Sequence, residues 1–466
     1  MIEFGTGGWR AIIADGFTRK NVQILAQAVS DMMANEKKKG IVIGFDRRFL
    51  SDIAAQWASE VFAANDIAVY LIDNAAPTPL IMYEVKRSGL PYGMAITASH
   101  NPAIYNGVKV FTAGGRDADE RTTKELEENI KNVTDIPLMD YKEALHNGHV
   151  TIINPQNAYI DSILSSINTS AIRNAELKVA LDPMFGVSRT SLQTILMTAR
   201  CGVDVIHERH DTLFGGRLPA PNADTMSALT DYVVEKGCDI GVATDGDADR
   251  LGVVDEKGRF LHPNEILVLL YYYLLKHKGW KGPAVRNLVT TNMLDRVAEL
   301  FGEKCYEVPV GFKHISSKMA ETNAIIGGES SGGMTVSGHI PGKDGIYAAA
   351  LLVEMIAVTG RKLSEMWADI ISQVGALYIA ESDLRFSQKI KDEVGDLIMT
   401  QKKLPDFPYE ISSVSYIDGC KIYFADGGWL SIRFSGTEPL LSLACETDTP
   451  GRSTELCNIM RKFINV

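Results

Sequence analysis

The 466-residue chain is short of several things. Its six cysteines, Cys201, Cys238, Cys305, Cys420, Cys445 and Cys457, are scattered, and none forms a Cys-x-x-Cys pair. They read as reduced, mostly buried thiols in a cytoplasmic protein. The histidine pairs His146/His149 and His207/His210 have no cysteine nearby and read as polar surface. Positive charge is not in excess: 47 Lys and Arg stand against 58 Asp and Glu, a net charge of −11. A general nucleic-acid binder would normally carry a basic stripe, so the charge argues against that class. A small anionic substrate is not, because a basic pocket can sit in an acidic protein. The one dense basic run, Lys37 to Lys39, ends a helix-like stretch, where cations suit the helix dipole. The longest apolar run, Ile266 to Leu275, is ten residues, and a membrane span needs about 20. The opening MIEFGTGGWR lacks a charged-then-apolar signal pattern. The expectation is a cytoplasmic protein with no membrane partner.

The composition is otherwise ordinary, with 45% apolar and 23% charged residues, which excludes a disordered chain. At roughly 150 residues per domain the length predicts about three to four domains. Lys20 to Lys39 places Val22, Leu25, Val29 and Met32 on one face, the pattern of an amphipathic helix. Ile41 to Phe45 reads as a buried strand, Asp52 to Asn65 as a helix, and Ala68 to Ile72 and Tyr92 to Thr97 as strands. The alternation returns with strands at Lys178 to Leu181, Val203 to His207 and Asp239 to Thr244, and again at Leu288 to Thr290, Lys304 to Val308 and Ala324 to Gly327. Such alternation implies parallel sheets with helices on both faces. From Tyr409 to Glu446 short strands are joined by Asp418-Gly419 and Asp426-Gly427-Gly428, which are hairpin signals, and a helix begins near Ser453. The expected fold is α/β in four domains: three similar mixed α/β sandwich domains at 1–155, 156–256 and 257–371, and an α+β domain at 372–466.

Four loops carry chemistry. Thr97-Ala98-Ser99-His100-Asn101-Pro102 follows a strand, where α/β sheets place their ligand crevice. Ser99 is there a candidate nucleophile or phosphate carrier, although Ser, Asn and Pro also make plain turns. Asp245-Gly246-Asp247-Ala248-Asp249-Arg250 follows another strand. Its three carboxylates repel one another unless a cation lies between them, and oxygen-only ligands select a hard ion such as Mg²⁺. An EF-hand is rejected, because Arg250 stands where its glycine is required. A strand followed by Asp-x-Asp also resembles a haloacid-dehalogenase phosphotransferase, with Asp245 as nucleophile.

Gly327 to Gly333 (GGESSGG) contains a formal Gly-x-Ser-x-Gly elbow. A hydrolase would need an acid and then a histidine downstream; His339 is the only later histidine and no acid precedes it after Ser330. The loop instead offers Glu329 and Ser331, groups suited to sugar hydroxyls. The fourth loop, Arg433 to Pro439 (RFSGTEP), combines arginine, two hydroxyls and a glycine into a possible anion cradle, or an ordinary hairpin turn.

Together, FGTGGWR, TASHNP, DGDADR, GGESSGG and RFSGTEP resemble the α-D-phosphohexomutases, the phosphoglucomutase/phosphomannomutase superfamily, over essentially the whole chain. The resemblance implies four domains around a central active-site cleft and a hexose phosphate mutase. It implies that Ser99 is the phosphoserine, and that Asp245, Asp247 and Asp249 hold Mg²⁺ with the Ser99 phosphate. Arg10, His100, Lys109 and Arg250 would surround it, with Lys109 a candidate general acid or base. Glu329 and Ser331 would contact sugar hydroxyls. Arg433, Ser435, Gly436 and Thr437 would clamp the non-reacting phosphate. Glucose 1,6-bisphosphate would be the activator, and a phosphorylated hexose the substrate. The oligomeric state is not implied. Three aspartates and a phosphoserine sum to roughly −5, and one Mg²⁺ reduces this to about −3, which calls for those arginines and lysines.

Some residues depart from the family pattern. Gly333 stands where many members have His, Phe434 where Pro is common, and Ser442 where Arg often follows. Gly311-Phe312-Lys313-His314 resembles the specificity loop of glucose-using members, so Lys313 joins the substrate-binding candidates. Glucosamine-using members usually carry a different segment there and Glu-Gln-Ser in the sugar loop. The expectation is glucose, with mannose accepted and glucosamine disfavoured.

Overall fold

The computed structural model describes residues 2–464 apart from Thr6, Phe386 and residues 435–439. Four sheets follow one another along the chain. The first has strands in the order Trp9–Ile12, Tyr105–Thr112, Tyr92–Ile96, Gly40–Phe45, Ala68–Ile72 and Val150–Ile153, with Arg116–Asp117 folded back onto Tyr105–Thr112. The second runs Phe260–Leu261, Leu251–Asp255, Ile240–Thr244, Lys178–Asp182, Gly202–Val205. The third runs Cys305–Val308, Ala284–Asn287, Ile326–Gly328, Met334–Val336. The central strands of these three are parallel, and those of the first two are largely apolar, as suits strands covered on both faces. The fourth sheet is antiparallel throughout: Tyr378–Arg385, Leu440–Thr447, Trp429–Phe434, Cys420–Phe424, Ile411–Ser415.

The first three units repeat one device. The last parallel strand turns back through a loop into an antiparallel neighbour: Tyr92–Ile96 into Tyr105–Thr112, Ile240–Thr244 into Leu251–Asp255, Ile326–Gly328 into Met334–Val336. Those loops carry Ser99, the three aspartates and Glu329. These three loops therefore leave the carboxyl end of an interior strand. Residues 435–439, which separate Trp429–Phe434 from Leu440–Thr447 in the chain, lie outside the described residues.

One expected strand needs correction, and two further strands are unexpected. The strand expected at Leu288 to Thr290 is Ala284–Asn287. Arg286 disguises it: the guanidinium is buried inside the strand, paired with Asp295 at 2.7 Å and Glu307 at 2.5 Å. Residues 288–290 form the turn, closed by Asn287 Oδ1, which accepts from Val289 N and Thr290 Oγ1. The strand Tyr378–Arg385 has no clear signal in the sequence. It lies at the sheet edge and carries Glu381, Asp383 and Arg385, so its apolar alternation is weak. The second sheet also extends to Leu261, because Val253 and Val254 pair with that last short strand.

One apolar core runs through all three α/β units, from Val42 through Leu181 and Val242 to the helices Pro263–Lys276 and Gly345–Thr359. The run Ile266 to Leu275 is a buried helix within it. The C-terminal domain has a core of its own, around Ile398, Ile422, Ile432 and Leu443. Polar links join it to the third unit. Lys421 Nζ donates to Leu288 O at 2.5 Å and to Glu307 at 2.7 Å, and Asn292 N donates to Glu446 at 2.8 Å. Among the described residues no helix is long and apolar enough to cross a membrane.

Candidate active site

Ser99 is fully buried and holds a left-handed backbone, with φ of 52°. That conformation is unfavourable for a residue with a Cβ, so the surroundings must impose it. Arg48 is the main constraint. Its guanidinium donates to four backbone carbonyls of this loop: Ser99 and Asn101 at 2.6 Å, Pro102 at 2.9 Å and Tyr105 at 3.0 Å. Asp46 lies at 3.3 Å from Arg48 Nε and also accepts from Thr97 Oγ1 at 2.6 Å. Thr97 Oγ1 in turn accepts from Ser99 N at 2.8 Å. The result aims Ser99 Oγ at Asp245, to which it donates at 2.7 Å, with His100 Nδ1 at 3.3 Å.

The aspartate loop reaches Ser99 because residue 246 is glycine: a Cβ there would lie 2.7 Å from the Ser99 carbonyl oxygen. Asp245, Asp247 and Asp249 each offer an oxygen within 4.8 Å of the others. Asp247 Oδ1 and Asp249 Oδ1 are buried with no hydrogen-bond partner among the described residues. Buried carboxylate oxygens without partners are costly, and an all-oxygen set of this kind fits a hard divalent cation such as Mg²⁺. Burial, then the neighbouring Asp247 and Asp249, push Asp245 up to about 8.

The other carboxylate oxygens are matched by cations. Lys109 Nζ sits 2.6 Å from Asp247 Oδ2 and 2.7 Å from Asp249 Oδ2. Burial opposes its charge, but the two carboxylates together outweigh it and raise the lysine pKa. Thr78 Oγ1 donates to Asp247 Oδ2 at 2.6 Å. Lys343 Nζ reaches Asp249 Oδ2 at 2.9 Å. Gly333 makes room for it, since a Cβ at 333 would collide with the Lys343 stem. Arg10 donates to Asn101 Oδ1 at 2.6 Å, and Arg250 N to Asp245 Oδ1 at 3.0 Å. His100 is held well below the ordinary histidine range, first by burial and then by Arg250 and Arg10.

The loop from Gly327 to Gly333 lies beside these groups through a bridge between Arg250 and Gly333. Glu329 is buried; its Oε1 accepts from Gly311 N at 3.3 Å, and its Oε2 from Ser331 Oγ at 3.4 Å. Lys313 is the second residue of the helix Phe312–Thr322, two residues beyond Gly311. Arg433 Nε pairs with Asp418 at 3.2 Å. Ser435, Gly436 and Thr437 lie outside the described residues.

Family models for the phosphoglucomutase/phosphomannomutase alpha/beta/alpha domains I, II and III match residues 1–136, 157–258 and 262–374, and the C-terminal domain model matches 388–462. The chain belongs to the phosphoglucomutase/phosphomannomutase family. Like that family it is an intramolecular phosphotransferase, a phosphohexomutase. A phosphoglucomutase/phosphomannomutase of Thermococcus kodakarensis is 28% identical, over 99% of this chain and 98% of the relative. A phosphoglucosamine/phosphogalactosamine mutase of Sulfurisphaera tokodaii is also 28% identical, with the same coverage. The crystal structure of a Thermus thermophilus protein assigned as a phosphomannomutase matches with a TM-score of 0.87 and 29% identity, over 100% of this chain and 99% of that one. Relatives of equal similarity thus carry different sugar names, and the choice of hexose rests on this chain's own side chains.

The phosphohexomutase motifs do not name Asp46, Arg48, Thr78 or Lys343. Asp46 and Arg48 have a faint signal, since they follow the carboxyl end of the strand Gly40–Phe45. Asp117 lies outside the motifs as well. Its Oδ2 is buried without a partner among the described residues, and burial raises its pKa, with Lys343, Lys109, Asp249 and Glu329 all acting on it.

Proposed function

We propose that the chain interconverts hexose 1-phosphates and hexose 6-phosphates, preferring glucose and accepting mannose, through a phosphoserine at Ser99 and a hexose 1,6-bisphosphate. The observation that carries this reading is the buried Ser99 hydroxyl, aimed at 2.7 Å at the head of the carboxylate cluster. Phosphoryl transfer depends mainly on positioning and charge neutralisation. Arg48 and Asp46 position the serine; Lys109, Lys343, Arg10 and Arg250 offset the charge. Asp245, Asp247, Asp249 and the Ser99 phosphate would hold Mg²⁺, which when bound neutralises phosphoryl oxygens.

In the transfer step the sugar hydroxyl oxygen forms a bond to phosphorus as the bond from Ser99 Oγ breaks. The hydroxyl proton passes to His100, which is neutral, and then to Ser99 Oγ, 3.3 Å from its Nδ1. Lys109, a cation fixed between two carboxylates, neutralises charge and leaves the proton to His100. The bisphosphate then turns, and the reverse step returns its other phosphoryl group to Ser99. Glu329, Ser331 and Lys313 hold the sugar, and Arg433 with residues 435–437 holds the non-reacting phosphate. Phosphopeptide mapping after exposure to glucose 1,6-bisphosphate tests the nucleophile. Label is expected on Ser99; label on Asp245 would overturn the mechanism.

The glucosamine phosphates form a second reading, favoured by Asp117. Its unpartnered carboxylate oxygen would suit a cationic 2-amino group near Glu329. The two readings separate on kcat/KM for glucose, mannose and glucosamine 1-phosphates, measured with one activator. Glucose 1-phosphate is expected to lead by about ten- to hundredfold over glucosamine 1-phosphate, the scale of one lost hydrogen bond. If glucosamine 1-phosphate leads and Asp117→Asn selectively removes that activity, the second reading replaces the first.

A further inference from the structure

We infer that Asp418 is a positioning residue that ties the phosphate-holding arginine of the C-terminal domain to the sugar-reading segment of the third unit. The inference rests on the role proposed above for Arg433. In the sequence Asp418 is legible only as half of a hairpin turn. In the structure its carboxylate faces two ways. Both oxygens lie 3.2 Å from Arg433 Nε, and Oδ2 accepts from the Val310 backbone N–H at 2.9 Å. Val310 belongs to the third unit and comes immediately before Gly311, Phe312 and Lys313. The next amide, Gly311 N, donates to Glu329 Oε1. Two successive N–H groups are therefore divided between Asp418 and the sugar-loop glutamate. Arg433, Asp418, residues 310–311 and Glu329 form one continuous polar line across the domain boundary.

The turn is built to deliver this carboxylate. Gly419 follows it with φ of 78°, and a Cβ there would strike the Ile432 carbonyl. The turn thus lies flat on the strand Trp429–Phe434, next to Arg433. The pair is partly shielded, with side-chain exposures of 26% for Arg433 and 24% for Asp418. Arginine's planar fork needs a fixed approach to bind phosphate well, and a carboxylate on Nε orients it. Seating a phosphate on Arg433 then bears, through Asp418, on residues 310–311 and on Glu329. The chemical step lies elsewhere, at Ser99, so Asp418 is expected to govern binding and sugar choice and to leave transfer alone.

The test compares the full-length wild type with Asp418→Asn, Asp418→Glu, Arg433→Gln and the Asp418→Asn/Arg433→Gln double variant. Steady-state kinetics would be run with whichever hexose 1-phosphate the wild type turns over, and glucose 6-phosphate binding would be read by calorimetry. Asp418→Asn keeps an acceptor for Val310 N and loses the charge. It is expected to raise KM and Kd about tenfold with kcat within about twofold. Asp418→Glu should recover part of that loss. In the Arg433→Gln background, Asp418→Asn should add less than about twofold, because the partner is gone. The ratio of kcat/KM between glucose and mannose 1-phosphates should shift in Asp418→Asn. An unchanged KM, a loss confined to kcat, or independent effects in the double variant would overturn the inference. If the asparagine variant does not fold, the glutamate variant carries the same KM-against-kcat comparison. Failure of the wild type to bind or turn over any hexose phosphate counts against the proposed function. Normal wild-type turnover with an unaltered Asp418→Asn counts against the Asp418 link alone.

Discussion

The surroundings of Ser99 and of Arg433, the proposed transfer centre and the proposed phosphate grip, are put together differently. Around Ser99, side chains from all three α/β units meet over a shared apolar core, and Asp245, Asp247, Asp249 and Lys109 are almost wholly buried. Around Arg433, a domain with its own core is joined to the rest by Asp418, Lys421, Glu446 and a Tyr423–Glu307 contact. The first arrangement suits chemistry, where rigid dipoles in a dry site stabilise developing charge without reorganisation. The second suits capture, because polar links are directional and separable at modest cost. The same protein thus places buried charge around Ser99, the proposed site of phosphoryl transfer, and partly exposed charge around Arg433, the proposed substrate grip.

The largest effect that sharpens this contrast is expected from Ser99→Ala. It removes the acceptor of the phosphoryl group and should lower kcat by at least about four orders of magnitude, with substrate binding near normal. Equal losses of binding and turnover would mean that Ser99 also shapes the phosphate grip.

Asp247→Asn comes next. It removes one charge from the carboxylate cluster but keeps an oxygen for Thr78. Turnover should fall by about 10²–10³, and Mg²⁺ affinity measured by calorimetry should drop in parallel, with the fold intact by circular dichroism. Full activity in excess EDTA would contradict the metal assignment.

On the other side of the boundary, burial, followed by Arg286, pushes the Lys421 pKa from 10.5 down to about 8 despite Glu307. The folded state then releases this proton earlier than the unfolded chain. Between those pH values the unfolded state binds more protons, so the Lys421 contribution to stability rises with pH. Relative to Lys421→Met, the wild type should gain about 2 kcal/mol in unfolding free energy between about pH 8 and 9.5. A pH-independent difference in denaturant melts would show that the lysine is not held in a buried, desolvated setting.

The smallest effect concerns Gly333. Gly333→Ala should displace the Lys343 stem and lower kcat by roughly threefold, with no added loss in a Lys343→Ala background. Additive losses would show that the glycine serves the Arg250 bridge instead.

Much of the site is legible in the sequence. Ser99 and the three aspartates stand out because each motif is contiguous and directly follows an apolar strand. Glu329 stands out among glycines for the same reason. Arg48 does not, because its four acceptors are backbone carbonyls, which every residue possesses. Lys343 does not, because its reach to Asp249, far from it in the chain, depends on the space left at Gly333. The strand Ala284–Asn287 is obscured by Arg286, a charged residue that is buried only because Asp295 and Glu307 converge on it.

By itself the sequence determined the family, the three α/β passes, most of their strands and helices and the antiparallel tail, because periodicity and contiguous motifs are local properties. Tertiary structure alone decided which charges face one another. Lys109 meets Asp247 and Asp249 across 138 and 140 residues, and Asp418 meets Val310 across 108. Such pairings depend on how the sheets stack and on where the chain is small enough for two loops to touch. Those are properties of the packed whole that no window of sequence contains.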